Sequence, residues 1–139
     1  MKKTNSKATA GYSGTPLVKK LGIKPGARVR FVNDPPEFKP LLADLPAIKQ
    51  GKPSDYVHLF VRSQVELKRH LGPAKKILDQ DGMIWVSWPK KASGISTDVT
   101  EDTVRAYALP LGLVDIKVCA IDETWSGLKL VIRRENRKK

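Results

Sequence analysis

The stretch Leu21-Gly-Ile-Lys-Pro-Gly-Ala-Arg-Val-Arg-Phe-Val-Asn33-Asp34 decides the fold, because a turn in it leads directly into the first strand of a sheet. Gly26 closes the Lys-Pro-Gly turn, and residues 27–32 then interleave apolar side chains with two arginines, which predicts a strand. The loop that follows reads Asn33-Asp-Pro-Pro-Glu37. A loop whose backbone approaches a bound nucleotide cofactor closely usually needs several glycines. This loop has none, so the stretch predicts a scaffold strand without the usual cofactor loop.

The rest of the chain alternates strand patterns with helix patterns. Further strands are predicted at residues 55–61, 83–88, 114–121 and 128–132. Four helices are also predicted. The first is one turn at 17–21, and the second is a short stretch after Pro35 that carries Phe38, Leu41, Leu42 and Leu45. The third runs from Ser63 to about Asp79, and the fourth from a cap at Asp98 or Thr100 to Leu111. The connection at 122–127 is too short for a crossover helix, so the last two strands must be antiparallel.

The length and composition indicate a single domain. A chain of 139 residues with 40% apolar composition can bury one core and is too short for two ordinary domains. We expect an α/β domain over residues 12–134, with a disordered basic tail at 1–11 and a basic tail at 135–139.

The net charge of +12 is concentrated at the two ends of the chain. Residues 1–20 hold five lysines and no acid, and residues 133–139 hold five basic side chains and one acid. Residues 21–132 carry 16 basic and 13 acidic side chains, a net charge of only +3. We therefore expect any binding to nucleic acid to depend on the tails rather than on the folded body.

Several classes of protein are disfavoured. The sequence has no apolar run long enough to span a membrane and no secretory signal at Met1, so we expect a soluble cytoplasmic protein without a membrane partner. Cys119 is the single cysteine and lies in an apolar run, which predicts a core residue and excludes an internal disulfide. His58 and His70 show no metal-ligand spacing, so no metal is expected.

Two motifs and the strand pattern resemble the Rossmann-like methyltransferases. The motifs are Lys24-Pro-Gly-Ala-Arg-Val29 and Asp81-Gly-Met-Ile-Trp-Val86, and the pattern is a helix-linked parallel series that ends in an antiparallel strand. The resemblance implies a three-layer α/β domain with a five-stranded, mostly parallel sheet in the order 1-2-3-5-4 and strand 5 antiparallel. Two strands that follow the first strand in those enzymes are missing here.

Three longer strings resemble a bacterial family known only as domain of unknown function 3052. They are Gly11-Tyr-Ser-Gly-Thr-Pro-Leu17, Trp88-Pro-Lys-Lys-Ala-Ser-Gly94 and Val118-Cys-Ala-Ile-Asp-Glu-Thr-Trp-Ser-Gly127. This resemblance supports the fold and transfers no catalytic role.

Polar side chains crowd the ends of the predicted strands, where an open α/β sheet binds its ligands. An anion can bind to the segment Lys90-Lys-Ala-Ser-Gly94, because it supplies two ammonium groups, a hydroxyl and a glycine. Asp122-Glu123 can supply a carboxylate for acid–base chemistry or for a hard cation. The candidate ligand-binding residues are Asp34, Lys90, Lys91, Ser93, Asp122, Glu123 and Trp125.

Each candidate also has a structural interpretation. The two lysines can pair with Asp34, Asp98, Asp122 or Glu123 and hold the loops together. Of the two adjacent acids, one can cap the turn while the other points into water. Trp125 can cover the sheet edge instead of stacking on a ligand.

Our leading hypothesis is a non-catalytic binding module that takes a small anionic ligand or a protein partner at the carboxyl edge of the sheet and needs no cofactor. A divergent S-adenosylmethionine-dependent methyltransferase is the alternative, although the acidic residue that holds the ribose in that fold has no counterpart if its strand is absent. The third hypothesis is a non-specific nucleic-acid-associated protein that acts through its basic tails.

Overall fold

The structure is a computed structural model that describes residues 16–42 and 45–137. The predicted tail at 1–11 and residues 138–139 of the predicted C-terminal tail lie outside the described residues.

The described part of the chain contains three helices and five strands. The helices are α1 (Leu17–Leu21), α2 (Gln64–Lys76) and α3 (Glu101–Ala108). The strands are β1 (Val29–Val32), β2 (Ser54–Phe60), β3 (Leu78–Pro89), β4 (Leu113–Ala120) and β5 (Trp125–Ile132). Short 3-10 turns lie at Lys39–Leu41, Lys91–Ser93, Leu109–Leu111 and Arg134–Asn136.

The sheet has the predicted order, β1-β2-β3-β5-β4. β1 pairs parallel with β2, and β2 pairs parallel with β3, while β5 pairs antiparallel with both β3 and β4. The predicted fold class and the antiparallel last strand are therefore confirmed.

The segment after Pro35 and the helix α2 differ from the prediction in type or extent. The segment after Pro35 forms only the 3-10 turn, because Pro40 in that turn lacks a backbone donor and Phe38 is drawn into the core. α2 ends at Lys76, three residues early, since β3 already begins at Leu78 and pairs there with Ser54.

The caps of the two longer helices are formed by hydroxyl side chains. The Ser63 hydroxyl accepts a hydrogen bond from the Glu66 backbone N–H at 3.1 Å, so Ser63 caps α2 where the helix is predicted to begin, while the Glu66 carboxylate accepts from the Arg62 N–H at 2.7 Å. Of the two possible caps for α3, Thr100 is the one used, because its hydroxyl accepts from the Thr103 N–H at 3.2 Å.

Both faces of the sheet are covered, as expected for parallel strands. α2 and α3 pack on one face, where the core includes Leu67, Leu71 and Val104. α1 and residues 33–42 and 45–48 pack on the other face. The core on that side includes Leu21, Phe38, Tyr56, Phe60, Trp85, Cys119 and Trp125.

His58 lies in the middle of β2 and is completely buried. Its Nδ1 is 2.9 Å from the Tyr56 hydroxyl and its Nε2 is 2.7 Å from the Ser87 hydroxyl. A neutral imidazole has one donor and one acceptor, and hydroxyls can satisfy both. Burial lowers the pKa of His58 to about 3 from its ordinary 6.5. His58 is thus a satisfied interior residue, as its apolar flanks predict.

This burial makes the stability of the protein depend on pH. The unfolded chain protonates His58 below about pH 6.5, whereas the folded protein does so only near pH 3, so the free energy of unfolding should fall between these values as the pH is lowered. The contribution of this one group is about 1.4 kcal/mol per pH unit. Urea denaturation at several pH values should give a steeper loss for the wild type than for His58→Gln. Equal slopes for the wild type and His58→Gln would contradict this account.

Candidate functional site

The carboxyl ends of four strands meet at one edge of the sheet. β1, β2 and β3 are mutually parallel, and β4 runs in the same direction because both β3 and β4 pair antiparallel with β5. We use the name carboxyl edge for the loops that follow these strands: residues 33–42, 61–63, 90–94 and 121–124.

Phe38 closes the part of the carboxyl edge that follows β1. Its ring is 1% exposed and lies 4.9 Å from the imidazole of His58 and 4.7 Å from the ring of Phe60, measured between centroids. Phe31 meets it edge-on at 5.5 Å, and Pro35 is buried beside it along the chain. The loop after β1 therefore folds back over the sheet and fills the space beside it with the protein's own side chains.

Trp125 joins three of the loops and lies in the floor of the carboxyl edge. The side chain is 2% exposed, and its ring is 5.2 Å from that of Phe60 in an edge-on arrangement. The indole Nε1 donates to Glu37 Oε2 at 3.4 Å, and the Arg62 guanidinium carbon lies 5.7 Å from the centre of the ring. This is the covering role that the sequence allowed as the alternative to ligand stacking.

The loop after β3 satisfies its backbone internally. The Ser93 hydroxyl donates to the Lys90 carbonyl at 2.6 Å and accepts from the Ile95 N–H at 3.1 Å. The Lys90 N–H donates to the Thr124 carbonyl at 2.7 Å, which ties this loop to the β4–β5 connection. The amides of Ser93 and Gly94 donate to carbonyls within the same turn. The Ser93 hydroxyl and these amides are therefore already engaged, whereas the ammonium groups of Lys90 and Lys91 form no ion pair within residues 16–42 and 45–137.

The two adjacent acids of the β4–β5 connection have different surroundings. Asp122 Oδ1 accepts hydrogen bonds from the backbone N–H groups of Thr124 and Trp125, both at 2.8 Å. Glu123 is exposed. The predicted split into a turn cap and a solvated acid is therefore confirmed.

The lysine–carboxylate pairs considered from the sequence do not form among the described residues. Asp34 lies 3.9 Å from the Lys39 ammonium, and Asp98 accepts from the Gln64 N–H at 2.8 Å. Within the described residues, Lys90 and Lys91 make no ion pair with either acid or with the β4–β5 connection.

Asp34 is separated from the other candidates. It lines a cleft of about 640 Å³ on the outer side of β1, together with Phe31, Lys39, Leu45 and Ile48. None of the other six candidate residues lines this cleft. The structure thus brings together Lys90, Ser93, Asp122 and Trp125 and places Asp34 elsewhere.

Arg62, Glu37 and Phe38 are not among the candidate site residues that the sequence suggests. Arg62 follows the most apolar strand directly, which is a usable signal for an edge residue. The paired prolines before Glu37 and Phe38 signal a rigid reversal over the sheet, but not which side chain it buries.

Within residues 16–42 and 45–137, no three His, Cys, Asp or Glu side chains converge as metal ligands. In the same part of the chain, no helix is both long and apolar enough to cross a bilayer.

The different surroundings of the two adjacent acids predict different effects on stability. Asp122→Ala leaves two backbone donors of a tight connection without their acceptor and should lower the free energy of unfolding by about 1–2 kcal/mol. Glu123→Ala is the matched control and should change it by less than about 0.5 kcal/mol. Chemical denaturation measures both variants, and equal effects would contradict the role given to Asp122.

The described fold is similar to those of solved methyltransferases. A type 11 methyltransferase from Sulfolobus solfataricus, described as putative in its own structure report, matches with a TM-score of 0.59 at 16% identity, over 84% of this chain and 89% of that one. Magnesium protoporphyrin IX methyltransferase from Synechocystis, solved with bound S-adenosylmethionine, matches with a TM-score of 0.55 at 12% identity, over 84% and 74% of the two chains.

A third neighbour shows that this fold does not fix the reaction. A pericyclic reaction enzyme matches with a TM-score of 0.51 at 12% identity, over 94% of this chain and 50% of that enzyme. At these identities the likeness shows the architecture alone.

The comparison with curated proteins found no match. The comparison with family profiles found one described as "Protein of unknown function (DUF3052)", which covers residues 43–134. That range contains the strings 88–94 and 118–127, whereas Gly11–Leu17 precedes it and residues 11–15 lie outside the described part of the structure. From this match over most of its length, the chain belongs to the DUF3052 family.

Proposed function

We propose that this protein is a non-catalytic binding domain of methyltransferase-like architecture, whose carboxyl edge takes an anionic ligand or the anionic side chains of a protein partner. One combined observation carries the proposal. The protein's own side chains fill the space beside the loop after β1, where a cofactor would bind, and Arg62, Lys90 and Lys91 form a group of cations that we call the cationic rim. Phe38 occupies the space next to the loop after β1, while the cations of neighbouring loops are left without acidic partners among the described residues.

The filled side argues against a nucleoside cofactor. Cofactor binding beside the first strand needs a backbone that can approach the ligand, which glycines provide. Here the corresponding loop contains two prolines, and its Phe38 packs on His58 and Phe60. A cofactor on this side would have to displace a ring whose burial contributes about 1.5–3 kcal/mol.

The cationic rim supports an anionic ligand. Arg62 is held over the Trp125 ring, and Lys90 is fixed through its backbone to Thr124, the residue next to that tryptophan. Lys91 follows in the same loop and is exposed. The Arg62 side chain and the Lys90 backbone thus bring cationic residues of two loops next to one buried aromatic residue, and we infer that a phosphate or carboxylate interacts with both.

A divergent methyltransferase is the second candidate, and the structural neighbours are the observation that favours it. Of the solved proteins similar to this chain, one is a methyltransferase with bound S-adenosylmethionine, and another is described as a putative methyltransferase. This function requires the loop at 33–42 to open and Phe38 to leave the core.

Isothermal titration calorimetry with two probes separates these functions. Inorganic pyrophosphate should bind the wild type with a submillimolar Kd, and Lys90→Gln/Lys91→Gln should weaken this binding at least about fivefold, since two charge contacts are lost. Lys68→Gln/Lys76→Gln, on the exposed side of α2, has the same net charge and is the matched control. It should bind like the wild type.

S-adenosylhomocysteine should give no binding tighter than about 1 mM in the same measurement. Tight binding of S-adenosylhomocysteine would favour the methyltransferase. Failure of pyrophosphate to bind, or equal losses in the two double variants, would contradict a small-anion site at the carboxyl edge.

A further inference from the structure

A β-bulge in β4 directs an acid and a base of one strand to opposite faces of the sheet. Asp115 lies opposite Leu130 of β5, but Lys117 lies opposite Lys129, so Ile116 is the extra residue. Lys129 and Leu130 are neighbours on β5 and point to opposite faces. Asp115 and Lys117 therefore also point to opposite faces, whereas in a regular strand residues two apart share one.

The acid is directed to the helical face that bears α3. Asp115 Oδ2 accepts from Arg105 Nε at 2.9 Å, and the same guanidinium also pairs with Glu101 and Asp102. Three carboxylates of the folded body are thus gathered around one arginine of α3. They are not available to neutralise lysines on the other face of the sheet.

Three lysines gather on the face that bears α1. Lys117 and Lys129 are directly opposite each other in the β4–β5 ladder, an arrangement of like charges that costs free energy. Lys129 lies opposite Trp85 of β3, and the Trp85 indole donates to the Leu21 carbonyl at 2.9 Å. The loop after α1, which contains Lys24, therefore lies on the same face of the sheet as Lys129. Burial lowers the pKa of Lys129, and the charges of Lys117 and Lys24 lower it further.

No described residue forms an ion pair with these three lysines. We call Lys24, Lys117 and Lys129 the basic patch. A fold that places like charges opposite each other and turns the nearby acid away has a surface suited to binding an external anion. The patch lies on the α1 face of the sheet and is distinct from the cationic rim of the carboxyl edge.

We propose that the basic patch binds the phosphate backbone of nucleic acid. Lys24 and Lys117 are exposed and belong to two separate segments of the chain, an open arrangement that suits an extended anionic ligand. Two further lysines, Lys19 and Lys20, lie in α1 on the same face and add charge of the same sign. Contacts of this kind are independent of base sequence.

Fluorescence anisotropy with a random-sequence DNA duplex, using the full chain at several salt concentrations, tests this proposal. Lys117→Gln/Lys129→Gln should bind roughly tenfold or more weakly at low salt, and the slope of log K against log salt should fall by about 2. The same variant should be at least as resistant to urea as the wild type, because a like-charge pair is removed. A purely structural role for these lysines would not combine weaker binding with undiminished stability.

Two further variants complete the test. Lys24→Gln lies in an exposed loop and should lower the slope by about 1, which keeps the test valid if the double variant does not fold. Lys68→Gln/Lys76→Gln matches the double variant in net charge and should keep the wild-type affinity within about twofold. Equal losses in the matched control, a wild-type salt slope in the patch variants, or binding to phosphatidylserine vesicles but not to DNA would overturn the proposal.

Discussion

The packing of Phe38 on His58 and Phe60 is the contact on which the rest of the structure depends. β1 lies at the edge of the sheet and pairs with β2. The segment that follows β1 folds back and covers the face of the sheet beside it. The loop after β1 does so by inserting one phenyl ring beside the imidazole. That ring helps to keep water from His58, which stays neutral and bonded to two hydroxyls.

The same packing shapes the carboxyl edge. The phenyl ring and the Glu37–Trp125 contact hold the loop after β1 across the sheet, so this loop contributes to core packing within a methyltransferase-like architecture. The proposed anion binding depends on the cations of the neighbouring loops, where Arg62 and Lys91 are exposed and Lys90 is half-buried.

Much of the fold could be predicted from the sequence, because strands that are buried on both faces consist of consecutive apolar residues. The predicted connection after β4 has six residues, which are too few for a crossover helix, so the last two strands could be predicted to form an antiparallel hairpin. The resemblance to methyltransferases supplied the strand order. The conformation of residues 33–42 was harder to predict, because helix-start signals at Asp34 and Glu37 compete with Pro40 and with tertiary packing.

The candidate site was predicted less completely, because side-chain partners depend on register and on tertiary contacts. The sequence placed Asp122 in a turn, and the structure confirms its capping role. It gave no sign that Asp34 would face a separate cleft or that Arg62 would lie over Trp125. Counting charges along the chain also missed the basic patch, since a one-residue bulge separates Asp115 from Lys117 in space but not in sequence.

Amide chemical-shift mapping tests the central claim most directly, because it reports which loops of the carboxyl edge meet a ligand. On titration with inorganic pyrophosphate, we predict shifts of the Arg62, Lys90 and Lys91 amides, while Asn33, Asp34 and Phe38 keep their positions. With S-adenosylhomocysteine, none of these amides should move. Shifts of Asn33, Asp34 and Phe38 on addition of S-adenosylhomocysteine would contradict the account, because they would show that the loop after β1 opens to admit a cofactor.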